Sequence, residues 1–191
     1  VQDLIARIVD SVYTAAEYDE YLLFKYLIIK SYNKGVVKRQ AVDAADIKNA
    51  AIAFRAASAK FSFVSTAYNN AGVHTSTPAS DQYIFMDADF NAKYGVDVLS
   101  AAFNMDKADY IGKLKLVDDW ASFDNDRFAE ITANSDMIEP VTTAELEAMK
   151  PVLGILVDKE FFQVYDNLDK FTEKYVASGL YWNYFYNVWK T

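Results

Sequence analysis

The first thirty residues place apolar side chains three and four positions apart, which is the spacing of one face of a helix. These positions are Ile5, Ile8, Val9, Val12, Ala15, Ala16, Leu22, Tyr26 and Ile29. Acids dominate the first two thirds of the stretch, lysines close it, and Gly35 stands where a helix commonly ends. The pattern predicts one helix from Gln2 to about Tyr32, roughly 45 Å long.

Downstream of this helix, helical and extended patterns alternate. A second helix with Asp43 as its N-cap is predicted to place Ile47, Ala50, Ala51, Phe54, Ala57 and Phe61 on one face. Strands are predicted over Val36–Val42, Tyr83–Met86, Lys113–Val117, Leu153–Val157 and Phe161–Tyr165, and short helices over Val96–Phe103 and Lys107–Ile111. Thr142 and Glu145 form a capping box for a further helix, which Pro151 ends. Together these elements predict an α+β fold.

The C-terminal segment carries the densest aromatic pattern of the chain. Phe171–Val176 and Tyr181–Val188 are predicted to form a long hairpin broken at Ser178–Gly179. Aromatic side chains fall on both faces of its second strand, and a strand of this kind is usually covered on both sides. We therefore predict a subunit interface made by Tyr181, Trp182, Tyr184, Tyr186 and Trp189. A sugar-stacking platform is the alternative interpretation of the same residues.

Composition narrows the classes of function. The 191 residues are 52% hydrophobic and include no cysteine and one histidine, His74, in a loop rich in serine, threonine and proline. Thiolate chemistry, iron–sulfur clusters and metal sites with two histidines are therefore excluded, and we expect no metal and no cofactor. A net charge of −8 opposes adhesion to nucleic acid or anionic lipid. The longest apolar stretch is too short to span a membrane.

Acidic residues that follow predicted strands give the best argument for an enzyme. Asp87, Asp89 and Asp158 come after strands, as do Asp118 and Asp119. Two such carboxyl groups about 5–10 Å apart across a cleft would suit glycoside hydrolysis. Acids in these places are also common helix caps and turn residues. A carbohydrate-active enzyme or carbohydrate-binding module is therefore the alternative function, and we expect no catalytic residues.

Six blocks of the sequence are characteristic when taken together: Ala16–Tyr21, Asp87–Asp89, Val96–Met105, Leu156–Lys159, Val164–Leu168 and Gly179–Tyr184. These blocks resemble the major capsid (head) protein of small short-tailed double-stranded DNA phages. They occur in the same order and extend over most of the chain. Residues 121–151 look longer than in the smallest members of that family.

The resemblance implies the Johnson-type tailed-phage capsid fold. Residues 1–35 and 169–191 would form a peripheral lobe with a long spine helix, and residues 36–168 an axial lobe of a sheet and helices. It further implies a structural subunit that self-assembles into an icosahedral-type shell around packaged DNA, without sequence-specific binding. Scaffolding and portal proteins would be its other partners. The shell would assemble in the host cytoplasm, and the protein would finally be located in the virion.

The resemblance also implies segments that this sequence does not contain. Relatives have an N-terminal arm and an extended loop before the spine helix, and at least one further strand after a position similar to Thr191. Because these segments clasp adjacent subunits, we expect the chain to be a truncated core. Its predicted state in dilute solution is a monomer or a small oligomer.

Overall fold

The computed structural model describes residues 2–43, 45–93, 95 and 113–191. The chain divides into two compact units. Unit 1 comprises Val1–Lys25, Asp124–Glu139 and Gln163–Thr191, and unit 2 comprises Tyr26–Phe123 and Pro140–Phe162. Helices and strands both occur, so the predicted α+β class is confirmed. No helix in the described ranges has the length and apolar character that a membrane span requires.

Helix α1 spans Gln2–Asn33, close to the predicted boundaries. Its 32 residues extend for about 48 Å. Gly35 adopts a left-handed conformation with φ of +71°, and the N–H of Val36 donates to the carbonyl of Ser31 at 3.0 Å. This arrangement is a Schellman motif, which satisfies carbonyl groups at the helix end and favours glycine because a Cβ would be strained there.

The predicted strand at Val36–Val42 is wrong, because residues 36–43 form irregular backbone. Val37 and Val42 are partly buried against separate apolar clusters of unit 2. Side-chain packing without strand pairing therefore accounts for the apolar residues of this segment. Asp43 is not the N-cap of the next helix: its carboxylate accepts the N–H of Ala45, and helix α2 begins later, spanning Ile47–Phe61.

A three-stranded sheet forms the centre of unit 2. It consists of β1 (Gln82–Asp87), β2 (Leu114–Val117) and β3 (Gly154–Asp158), in the order β2-β1-β3, with β1 parallel to β2 and antiparallel to β3. These strands confirm three of the predicted ones. Ile84 and Met86 of β1 are buried in a cluster with Ala50 of α2.

The predicted strand at Phe161–Tyr165 is also wrong. Residues 159–165 form a turn and irregular backbone, and the antiparallel partner of β3 is β1. Phe162 packs edge-on against Phe85 at 6.0 Å between ring centroids, so burial explains the apolar pattern of this segment. The helices predicted over 96–103 and 107–111 lie outside the described residues.

Unit 2 also contains a single turn of 3-10 helix at Ala79–Asp81, directly before β1. Two short α-helices follow later in the chain. Helix α3 spans Asn125–Ile131 and has Asp124 as its N-cap, whose carboxylate accepts the N–H of Arg127. Helix α4 spans Thr143–Met149 and begins with the predicted capping box of Thr142 and Glu145. Burial acts to raise the pKa of Glu145, but hydrogen bonds from Thr142 and from Lys30 of α1 outweigh it, so the pKa lies below its ordinary value.

Replacing Thr142 with alanine is expected to lower the free energy of unfolding by about 1 kcal/mol, because the first turn of α4 loses its cap. Urea unfolding followed by circular dichroism measures the change. Thr143→Ala is the matched control, since this neighbouring threonine is also exposed but lies one position inside the helix. Equal losses in the two variants would show that the capping box does not stabilise α4.

Candidate subunit interface

A long two-stranded antiparallel hairpin forms the C-terminal part of unit 1. Strand β4 spans Asp166–Val176 and strand β5 spans Tyr181–Lys190, which confirms the predicted hairpin. A register shift between Asp166 and Leu168 marks a bulge at its base. The turn joining the strands includes Leu180 with φ of +53°. A hairpin of two strands is marginally stable alone, so its contacts with the rest of unit 1 matter.

The two faces of this hairpin differ in chemistry. Pairing register and strand alternation assign each side chain to a face. The inner face, named for its contacts with α1, carries Asp169, Phe171, Glu173, Tyr175, Trp182, Tyr184, Tyr186 and Val188. The outer face carries Leu168, Lys170, Thr172, Lys174, Val176, Tyr181, Asn183, Phe185, Asn187 and Trp189. Aromatic residues lie on both faces. The acids Asp169 and Glu173 lie on the inner face, where the same alternation also places Lys190 at the base, and the lysines Lys170 and Lys174 lie on the outer face.

Helix α1 packs against the base of the inner face. The rings of Tyr13 and Tyr186 meet edge-on at 5.4 Å between centroids. Burial is the first cause of a raised pKa at Tyr186, and a hydrogen bond to Asp169 raises it further. Of the five residues predicted at the interface, Tyr186 therefore already packs within its own chain.

Lys190 links the hairpin base to α1. Its ammonium group lies 2.6 Å from a carboxylate oxygen of Glu20 and 2.6 Å from one of Asp166. Burial opposes the charged form of Lys190, but the two carboxylates overcome this, so its pKa is raised. The pairing keeps a mostly buried cation satisfied and places β5 beside the helix.

Arg127 of α3 makes a second connection to α1 within unit 1. Its guanidinium donates to both carboxylate oxygens of Asp19 at 2.8 and 2.7 Å, and these hydrogen bonds are the main cause of its raised pKa. Tyr18 donates to Asp124, the N-cap of the same helix, at 3.1 Å. A bidentate arginine–carboxylate pair fixes geometry as well as charge, so α1 is held at this point.

The other four predicted interface residues are exposed. Tyr181 and Trp189 on the outer face are 51% and 65% exposed, and Trp182 and Tyr184 on the inner face are 51% and 52% exposed. Phe185, which the sequence prediction did not include, is exposed beside them on the outer face. The sequence did contain a signal for Phe185: it lies four residues from both Tyr181 and Trp189, which places all three side chains on one face of a strand. Exposed tyrosine and tryptophan side chains of this density are typical of a protein interface.

Two of the strand-end acids, Asp87 and Asp158, do not form a glycosidase pair across β1. Asp158 pairs with Gln82 at one end of β1, whereas Asp87 ends the same strand, about 17 Å away along it. Asp87 accepts the N–H of Phe90 at 3.0 Å and Asp158 accepts the hydroxyl of Thr77 at 2.8 Å. Asp119 accepts the N–H of Ala121. These carboxylates serve as turn and cap acceptors, and the enzyme alternative is not supported.

An apolar cavity of about 450 Å³ lies between α2 and the sheet in unit 2. Asp158 is the single carboxylate among its described lining residues, so these residues offer no pair of carboxyl groups for glycoside hydrolysis. His74 lies in an exposed loop. In the part of the chain that the structure describes, no group of three or more histidine, aspartate or glutamate residues is placed to hold a metal ion.

The family of this chain follows from comparison with known proteins. A family model described as Phi29-like phage major capsid protein matches residues 1–191. The chain belongs to this family. It is 32% identical over 197 residues to the major capsid protein of Bacillus phage PZA, and 33% identical over 196 residues to those of Bacillus phages B103 and GA-1.

These Phi29-like relatives are considerably longer than the chain. The matches cover 98–100% of the chain but 36–38% of each relative. The whole of the present sequence therefore matches the capsid protein family. In each relative, more than half of the length lies outside the matched region.

Proposed function

We propose that the chain is a structural subunit of a phage capsid, assembling with copies of itself into an icosahedral-type shell around double-stranded DNA. The observation that carries this proposal is the match of the capsid family over residues 1–191. The exposed aromatic hairpin supports it, because a shell subunit must leave apolar surface for its neighbours to cover. The shell would be assembled in the host cytoplasm and found in the virion.

We further propose the Johnson-type fold for this subunit, with α1 as the spine helix. The peripheral lobe would consist of residues 1–35 and 169–191, and the axial lobe of residues 36–168. The length of α1 and the long strands β4 and β5 support this assignment. The three-stranded sheet, with α2 packed against it, supports a separate sheet-and-helix lobe.

The mechanism of this subunit is repeated self-association. Each contact can be weak, because a closed shell engages several contacts per subunit at once. The net charge of −8 disfavours tight binding to packaged DNA, which suits a wall that must let the genome pass in and out. Scaffolding and portal proteins are the other partners that this function implies.

Negative-stain microscopy tests the proposal on a product in which this chain is extended to the full length of its relatives. We expect closed particles, and we expect Trp189→Ser to give soluble, folded subunits instead, because it removes the most exposed ring of the hairpin. Phe63→Ser is the matched control, since Phe63 is an exposed aromatic residue of unit 2. Soluble monomers with affinity for a polysaccharide would contradict the capsid function.

A further inference from the structure

The hairpin carries opposite charges on its two faces. Lys170 and Lys174 lie on the outer face, whose described residues include no acid, and both lysines are exposed. Glu173 lies exposed on the inner face, next to Tyr175, Trp182 and Tyr184. No ion pair involving these three charged residues occurs within the described ranges. Each face therefore combines exposed aromatic rings with a charge that lacks a counter-charge.

The half of the inner face beside the turn is exposed. Tyr13 and Glu20 of α1 contact Tyr186, midway along β5, and Lys190, at the base of the hairpin. Glu173, Tyr175, Trp182 and Tyr184 lie closer to the turn and are exposed. An inner surface beside the turn is thus available to a partner.

We infer that neighbouring copies of this chain stack their hairpins, the inner face of one against the outer face of the next. This inference rests on the proposed capsid function and names one of its contacts. In such a stack Glu173 of one copy faces Lys170 and Lys174 of its neighbour, and aromatic rings pack against aromatic rings. Charge complementarity of this kind fixes orientation and register more than it adds affinity.

The same charges disfavour symmetric stacks. An outer-to-outer contact would bring Lys170 and Lys174 of two copies together, and an inner-to-inner contact would oppose two Glu173 side chains. The stack is therefore heterologous, with different faces on the two copies. Heterologous contacts generate rings when their rotation closes, which is what the capsomers of a shell require.

The expected affinity of the isolated contact is low. The half of the face beside the turn is two strands wide and about five residues long, so it measures about 10 by 15 Å and a stack buries about 300 Å² in total. This is well below the roughly 1,200 Å² of a stable interface. We therefore expect reversible association of the chain at high concentration. Sedimentation velocity over a series from micromolar to millimolar protein is the appropriate measurement.

Charge reversal tests the stack directly. The double variant Lys170→Glu with Lys174→Glu, and separately Glu173→Lys, are each expected to weaken self-association about tenfold or more, because like charges then meet. An equimolar mixture of the two variants should associate again, since each can present a face of opposite charge to the other. Lys60→Glu with Lys115→Glu is the matched control, as both are exposed lysines of unit 2.

Each outcome decides between the stack and its alternatives. Recovery in the mixture, with unchanged circular dichroism of every variant, supports the stack. The stack is contradicted if both charge variants associate like the wild type, or if association does not recover in the mixture. In that case, closed particles formed by the extended product would still support the capsid function. Single-stranded DNA binding that depends on Lys170 and Lys174, with self-association unaffected, would assign the outer face to nucleic acid instead.

Discussion

Replacing Trp120 with alanine is expected to lower the free energy of unfolding by about 3–5 kcal/mol. Trp120 is 1% exposed and lies in the larger apolar cluster of unit 2. Its neighbours in that cluster come from α1, α4 and the sheet, through Ile28, Met149 and Ile155. Truncation leaves a cavity where these elements meet, because a close-packed interior relaxes only partly.

Replacing Trp120 with phenylalanine separates the contribution of ring packing from that of the indole N–H. The indole N–H of Trp120 is buried and has no hydrogen-bond partner among the described residues, so Trp120→Phe removes an unsatisfied donor and keeps an aromatic ring. We expect it to cost about 1 kcal/mol. Urea unfolding followed by far-ultraviolet circular dichroism measures both variants, with Phe63→Ala as an exposed control. A loss below about 1 kcal/mol for Trp120→Ala would show that this cluster is not the core of unit 2.

Local signals in the sequence predicted much of the fold. Helical spacing and the glycine at position 35 predicted α1 and its end, and a capping box predicted the start of α4. Strands β1, β2 and β3 were found because short apolar runs lie between turn residues. These elements are determined by residues close together in sequence, which is why one sequence suffices to find them.

Long-range contacts explain why two predicted strands were wrong and why some side-chain contacts were not predicted. Val37 and Phe162 belong to apolar segments that pack on a core without pairing as strands, and apolar alternation alone does not distinguish the two cases. The ion pair of Arg127 with Asp19 joins residues 108 positions apart, so no local pattern indicates it. The aromatic pattern did predict the hairpin surface, whereas its division into an acidic and a basic face required the strand register.

The second large effect on the free energy of unfolding is expected from a buried polar network around Gln82. Gln82 is fully buried at the start of β1, and its amide nitrogen lies 2.9 Å from the carbonyl of Thr77 and 3.1 Å from the hydroxyl of Ser62. Its amide oxygen accepts the hydroxyl of Ser58, on α2, at 2.7 Å. The side chain thereby joins the sheet, α2 and the loop that precedes β1.

Replacing Gln82 with methionine is expected to lower the free energy of unfolding by about 2–4 kcal/mol. Methionine nearly preserves the volume, so the loss comes from polar groups of Ser58 and Thr77 left buried without partners. Ser58→Ala alone should cost about 1–3 kcal/mol, because it leaves the Gln82 oxygen unsatisfied. The double variant should cost less than the sum of the two single ones, since it removes both partners of one hydrogen bond. Strict additivity in urea unfolding would show that the two side chains do not stabilise unit 2 through each other.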